Sequence, residues 1–545
     1  MKNIIFILFI GIQFFQINSQ RCGTDLIKKS PKIIDISHIE EENKKRKLVD
    51  LLVPLKIKVD MEYLKAQKLT NDTTNEKLKV IFDEITQTFS KLLSNYRIAL
   101  PDEYSDDIKN SCQIDKMEEE TKKGFLKYDI LIFPKIDNSL DKNILAAASP
   151  CLISKDKYKP MAGIVLINYY LSFKEDFNYY MKNLLLHELT HVLGFNPDIF
   201  QSLKLIKTEK VNDQIFTYIN SPKVIEKAKL HFGCDDIEGI QLENQGGSGS
   251  VGSHWESRYM LGDYMISFDY SDVVISDITL ALLEDTGFYK VNYYTGGLFR
   301  YGKNQGCAFL RKKCVYNKGS STSFANEFCL NSGEAFCSSN RLSKGSCYIV
   351  QYQNSLEKKY RHYENPRIGG LINVDYCPVS NMFSSDLDDN YFYPKSCKYG
   401  KSESSNDVIG SNSICFESSL FASNKKSICY QMNCDKVNKK ININIGDKTI
   451  SCPGQETILN NPEGLKGEIK CPDYNMVCTS DIWCDDLYDC INKNSTADEN
   501  TYDFITNKEA LLLKDQNNLK VKDDYLKSNF LNINKIFLLI SFILF

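Results

Sequence analysis

The chain has 545 residues, 19 cysteines and six histidines, and its 67 basic and 70 acidic side chains leave a net charge of −3 at pH 7. That length allows roughly two to four domains, and near-neutral, mixed charge leaves no electrostatic footprint for nucleic acid. There is no glycine-rich phosphate loop and no internal repeat, so nucleotide-driven and solenoid classes drop out as well.

Residues 1–19 carry one lysine near the start, an apolar run from Ile4 to Phe15 and a small residue at Ser19, the pattern of a cleaved secretory signal peptide. Secretion accounts for the cysteines, most of which follow residue 300: an oxidising compartment makes disulfides of them, and their spacing is not that of zinc ribbons. Asn71 (NDT) and Asn494 (NST) are acceptor triplets for glycosylation that secretion would make usable. Because 19 is odd, at least one thiol is left over, and Cys22 is the candidate, with an ordinary disulfide as the alternative. The run Lys44, Lys45, Arg46, Lys47 would be a processing point, making 20–47 a propeptide; a basic run is otherwise a solvated stretch.

From residue 48 the patterns become those of a folded domain. Leu55, Ile57 and Val59 alternate with Lys56, Lys58 and Asp60, which predicts a half-buried strand. Leu78, Ile81, Phe82, Ile85, Phe89 and Leu92 recur at three and four, which predicts an amphipathic helix. Tyr128–Phe133 and Gly163–Ile167 read as further strands.

Residues 184–195 read LLLHELTHVLGF. On a helix, His187 and His191 lie one above the other and can share a metal ion, while Glu188 falls beside them, where its carboxylate can serve a water at the metal without ligating. The flanking leucines and Val192 make the helix apolar nearly all round, hence buried, and a buried helix with two imidazoles and a carboxylate needs a compensating ion. The bland alternative is a chance pattern on an amphipathic helix. Gly194 suits a left-handed helix end, and Pro197 cannot continue the helix. A catalytic zinc takes three protein ligands. Of the other histidines, His254 follows the glycine-rich GGSGSVGSHWE, where irregular backbone can bring an imidazole to the metal, and His231 competes with it.

Residues 198–253 are a polar, mixed insertion, in which Cys234 could pair with Cys112 or Cys151. Asp277–Thr286 reads as a short helix with Ser276 as N-cap and Gly287 beyond its end. From about 301 to 494 the chain is cysteine-rich with little long periodicity, so disulfides rather than a large core are expected to hold it, and His362 reads as surface or structural. Residues 495–535 are polar and charged, consistent with a flexible stalk. The last ten residues, IFLLISFILF, are too few for a span of about twenty; with Ser528, Asn529, Asn532 and Asn534 upstream they resemble a glycolipid-anchor signal, the alternative being an apolar helix left in place.

The segments HELTHVLGF, GSHWESRYMLGDYM, LALLEDTGFYKVNYY and YGKNQGCAF, in this order around a long insertion, resemble leishmanolysin, a family of surface zinc metallopeptidases in the metzincin clan. The resemblance runs from about Leu48 to about Asn381. It implies an α+β fold: a metzincin-type catalytic domain, 48–197 carrying the zinc helix under a twisted sheet and 198–300 the insertion, third ligand and Met-turn, then the disulfide-rich region. It implies His254 as third ligand of one catalytic Zn2+, Met265 as the Met-turn methionine, and Gly163–Asn168 as the strand facing the cleft. Cys22 would be a propeptide latch, although the family's histidine two residues earlier is Gln20 here. The expected protein is an extracellular endopeptidase acting on protein or peptide substrates, tied to the membrane by its C-terminal lipid. The rivals are a catalytically inactive adhesion protein retaining the fold, and a disulfide-rich binding protein with an incidental HExxH.

Overall fold

The computed structural model describes Ile27, residues 30–36 and residues 52–478, apart from 97–103, 124–127, 141–143, 172–177, 212–213, 271–272, 294–298, 383–394, 403–404 and a few single positions. The signal peptide, Cys22, the basic run, Asn494, the stalk and the anchor signal lie outside these residues. Among the described residues no helix is long and apolar enough to cross a membrane.

The first strands are β1 (Lys32–Ile34), β2 (Leu52–Pro54), β3 (Ile57–Val59), β4 (Leu93–Tyr96), β5 (Ile130–Asp137), β6 (Ala146–Ser154) and β7 (Pro160–Asn168). Five of them form one sheet in the order β1-β6-β7-β5-β3. β5 runs parallel to both β3 and β7, while β6 is antiparallel to β7. Ile130, Ile132, Ala146, Ala148, Val165 and Ile167 face one core, shared with the helices Asp72–Leu92 and Asn178–Leu193. Their alternates Leu131, Phe133, Leu152, Ala162 and Ile164 face a second cluster on the other side. A sheet covered on both faces has no polar side, which is why β6, reading AAASPCLIS and buried throughout, carries no alternation and gave no strand signal.

The resemblance implies that Gly163–Asn168 is an edge strand facing the cleft, and its edge position is corrected: β7 is internal, paired on both sides, and β6 lies outside it. Gly163 has a different role, because a Cβ there would overlap both methyls of Val192. The strand lies directly on the HExxH helix.

The insertion is more ordered than its mixed composition suggests. It holds a hairpin, β8 (Ile206–Val211) and β9 (Gln214–Ile219), and a helix, Pro222–Phe232, that buries Val224, Ala228 and Phe232. The predicted helix forms at Asp277–Asp285, its Ser276 cap accepting the Thr279 N–H at 3.1 Å. Cys234 pairs with Cys307, not with Cys112 or Cys151, which pair with each other.

The main core continues through Phe309, Phe328 and Val374 to Met382. Beyond it, contrary to the expectation that disulfides substitute for a core, residues 413–471 form a six-stranded sheet enclosing Phe416, Tyr430, Ile441, Ile443 and Ile450. The signal was present, since Lys440–Ile445 reads KININI with a matching alternation of burial. Disulfides also contribute. Eight occur among the described residues, closing loops of 18 to 78 residues; such loops stabilise by about 3 to 4.5 kcal/mol each in the chain-entropy account. Buried Arg341 and Lys344 pair with Glu417 at 3.1 Å and Asp407 at 2.5 Å.

One buried carboxyl sets a pH dependence. Glu327 is 1% exposed, accepts the Gly302 N–H at 3.3 Å, and is pushed by burial from 4.5 to about 7, against the opposing charges of Lys470 and Arg258. Folding therefore favours its protonated form. The stability this confers is present below about 4.5 and is lost as pH rises through about 7. Glu327→Gln, which keeps the acceptor, should leave thermal stability at pH 5 nearly unchanged and raise it at pH 8 by on the order of 1–3 kcal/mol. Identical pH profiles for the two proteins would refute this.

Candidate metal centre

The helix Asn178–Leu193 buries His187, Glu188, Thr190 and His191 completely. Gly194, at φ +144°, ends it: both Gly194 and Phe195 donate their N–H groups to the Thr190 carbonyl, at 3.1 and 3.0 Å. This reversal turns the Phe195 carbonyl back onto the helix, where it accepts His191 Nδ1–H at 2.7 Å. Pro197 does more than interrupt the helix, since it opens the next one, Pro197–Ser202, behind the Asn196 cap. His187 Nδ1 meets the Tyr264 carbonyl at 2.6 Å, and the Tyr264 hydroxyl meets Thr190 Oγ1 at 2.9 Å.

His254 arrives from a different part of the chain. Its neighbour Trp255 bridges Leu242 on one side and Ile266 on the other, and the His254 carbonyl accepts the Glu243 N–H at 2.8 Å. The Trp255 ring packs edge-on against Phe195 at 5.2 Å, so the third histidine is referenced to the turn that ends the helix. Trp255 Nε1 donates to Thr279 Oγ1, Thr279 Oγ1 donates to Asp263 Oδ2, and Asp263 Oδ1 accepts the Met265 N–H, each at 2.7 Å. Burial pushes the Asp263 carboxyl up to about 6. Met265 is fully buried in the turn whose Tyr264 carbonyl touches His187, and Met260 is also fully buried.

The structure thus brings His187, His191 and His254 together, their ligating nitrogens within 4.8 Å of one another. His187 Nε2 is 3.0 Å from His191 Nε2 and 3.2 Å from His254 Nε2. The Nδ1 atoms of His187 and His191 face carbonyls, which only accept; His254 Nδ1 lies 3.2 Å from the Ser250 carbonyl and 3.0 Å from Ser253 Oγ. A proton on Nδ1 leaves the Nε2 lone pairs pointing at one another. Burial lowers His191 to about 4, which keeps it in the neutral, ligand form. Converging lone pairs repel unless a cation lies between them, and nitrogens bound to one tetrahedral zinc at about 2.0–2.1 Å stand about 3.3 Å apart. The donor set fits such an ion.

Two other histidines, His231 and His362, have structural partners. His231 stacks on Phe299 and bonds the Tyr301 carbonyl at 2.9 Å. His362, expected at the surface or in a structural role, is buried with Nε2 2.9 Å from the Asp375 carbonyl; His38 lies outside the described residues. Asn71 is exposed and caps the helix Asp72–Leu92, Oδ1 accepting the Thr74 N–H at 2.8 Å. The orienting groups Tyr264, Asp263 and Thr279, and the Phe195 carbonyl, escaped sequence reading. Backbone acceptors carry no side-chain signature, and Asp263 and Thr279 meet only across the fold.

Comparison with known proteins places the chain in a family. The leishmanolysin peptidase family matches residues 31–484. A leishmanolysin homolog of Crithidia fasciculata is 28% identical over 62% of this chain and 53% of its own length. Leishmanolysin of Leishmania major is 25% identical over 76% of the chain and 70% of its own, and a leishmanolysin-like peptidase of Caenorhabditis briggsae is 34% identical over 36% and 34%. The chain spans about half the length of several of the relatives it matches. With most of its length matched, the chain belongs to the leishmanolysin family of metallopeptidases.

Proposed function

We propose that the protein is an extracellular zinc endopeptidase that hydrolyses peptide bonds of protein substrates. The observation that supports this reading above all is the convergence of three histidine Nε2 atoms, two of them from the buried helix that also carries Glu188. His187, His191 and His254 would hold one zinc ion, with Met265 in the turn whose Tyr264 carbonyl touches His187. A bound zinc supplies Lewis acidity that activates water and polarises the scissile carbonyl. Glu188 takes a proton from the attacking water and passes it to the leaving amine, cleaving the C–N bond. The Tyr264 and Phe195 carbonyls hold two imidazoles in the tautomer and orientation this requires.

We assign the catalytic unit to 48–300 and the cysteine-rich region to 301–494, and the disulfides suit an oxidising, extracellular setting. Residues 1–19 as a signal peptide, 20–47 as a propeptide with Cys22 as latch, and 536–545 as a glycolipid-anchor signal complete the reading. An adhesion protein without activity has no use for Glu188, and its retention favours the enzyme. The test is zinc content and cleavage of a quenched peptide library by secreted protein, before and after chelation. About one zinc per chain, with activity lost on chelation and restored by zinc, is expected. Metal-free protein that cleaves, or zinc-loaded protein inert even after removal of residues 20–47, would sink the proposal.

A further inference from the structure

β1 pairs along the outer edge of β6, with Lys32 opposite Leu152, Ile33 opposite Ile153 and Ile34 opposite Ser154, and the Lys155 N–H donates to the Ile34 carbonyl at 2.7 Å. Without β1, the edge of the sheet would be β6, which packs with β7 against the HExxH helix. Ile34 and Ile36 are 5% and 0% exposed, inserted among Ile108, Cys112, Leu131, Phe133, Leu152 and Met161 on the face of the sheet away from that helix. The socket is braced covalently, since Cys112 on the helix Ser105–Cys112 is bonded to Cys151 on β6. Its rim is polar: Lys32 meets Asp107 at 2.5 Å, Lys155 meets Asp35 at 3.2 Å, and the Tyr104 hydroxyl donates to the Asp35 carbonyl at 3.2 Å.

Direction matters as much as contact. Because β1 is parallel to β6, the chain before Lys32 is aimed along β6 toward Pro150 and Ala148, and Ile27 still packs on the same cluster. Pro150 pairs with Gly163, the residue that lies on Val192 beside His191. This direction, from Lys32 back through Pro31 and Ser30, runs along the sheet edge toward the level of the histidine cluster. An unpaired edge strand there is what an extended peptide would use for main-chain pairing.

We infer that residues 30–36, with Ile27, are a detachable strap: the edge of β6 with its isoleucine socket is a binding site for this segment, which holds without any covalent link to the rest of the fold and excludes extended peptide from the edge. The exclusion rests on the peptidase reading; the binding does not. Strand pairing and two buried isoleucines suffice to hold it, so retention needs no thiol and does not depend on Cys22. Cutting the chain between residues 37 and 51, for instance at the basic run Lys44–Lys47, would leave the strap seated until it exchanges off.

The test starts from full-length secreted protein in which a specific protease site replaces residues 44–47. After cleavage, the N-terminal fragment should co-elute with the body in native buffer and separate only in denaturant, with peptide cleavage suppressed until then. Ile34→Asp/Ile36→Asp should release it on cleavage. Because that variant can fail to fold, a labelled peptide IKKSPKIIDI (27–36) is also titrated against trimmed protein by fluorescence anisotropy, in the Glu188→Gln background as well. Saturable binding, weakened at least tenfold by the two aspartates, together with inhibition of the active protein, is the expected result. Loss of the fragment from folded wild-type protein on cleavage, or absence of peptide binding to trimmed protein with a normal melting curve, overturns the strap. Binding without inhibition of an active enzyme overturns its exclusion of substrate. Binding to a protein that proves to have no peptidase activity leaves the strap standing and removes the catalytic reading instead.

Discussion

Glu188→Gln is expected to keep zinc at wild-type content and to lose peptide cleavage by at least about 10²- to 10⁴-fold, the contribution of a positioned general base. Glutamine matches the shape of glutamate on this fully buried helix and preserves packing, but it cannot accept the proton of the attacking water. His254→Ala should behave in the opposite way at the metal. It leaves two imidazoles from one helix turn, a set too small for a catalytic zinc, so both metal and activity are lost. The two variants should also differ in stability. A metal that binds only the folded state stabilises it by mass action, so His254→Ala should melt at lower temperature while Glu188→Gln melts with wild type. Metal analysis, peptide cleavage and thermal melts on the three proteins separate these outcomes. Normal turnover by Glu188→Gln would rule out the proposed chemistry.

The second large effect is expected at a residue with no functional group. Gly163 lies where β7 crosses the HExxH helix, and any Cβ would overlap both Val192 methyls. Alanine or valine there has to push strand and helix apart, in a core that tolerates little volume change, at a cost of about 1–3 kcal/mol or more. Valine is the sharper probe, because its strand propensity is better than glycine's and would by itself stabilise β7. The loss should extend to function, since Val192 adjoins His191, whose ring is held to the Phe195 carbonyl only while helix and turn keep their relation. Gly163→Ala is therefore expected to lower both melting temperature and zinc retention. Val192→Ala, by opening the space, should restore much of both, a coupling that contacting residues show and distant ones do not. Additive losses in the double variant would mean that strand and helix are not in close contact.

Much of the site was legible locally. His187, Glu188 and His191 needed only the 3.6-residue repeat, Gly194 only its freedom to adopt φ +144°, and the Ser276 to Gly287 helix only its cap and stop. These features are written within one or two turns of chain, where spacing alone sets geometry. His254 was harder. Nothing in its spacing from His191 brings it to the other two histidines, and its place rested on the glycine-rich run and on the family resemblance. The strand at Lys440–Ile445 was readable in its alternation but hidden among cysteines and polar residues.

By itself, then, the chain's order of residues determined the histidine pair His187 and His191 with Glu188 between them, the amphipathic helix Asp72–Leu92, and the capacity for disulfides, because periodicity, capping and composition act over short distances. Tertiary structure alone decided the rest. It buried both faces of the sheet, so that β6 has no alternating pattern, chose Cys307 for Cys234, and laid β1 on the β6 edge. It also closed the hydrogen-bond path from Trp255 through Thr279 to Asp263 and Met265 behind the third histidine. The reason is physical: pairing partners, buried acceptors and strand order depend on contacts between residues far apart in the chain, and these exist only once the entropy of closing the loops between them has been offset by a shared core.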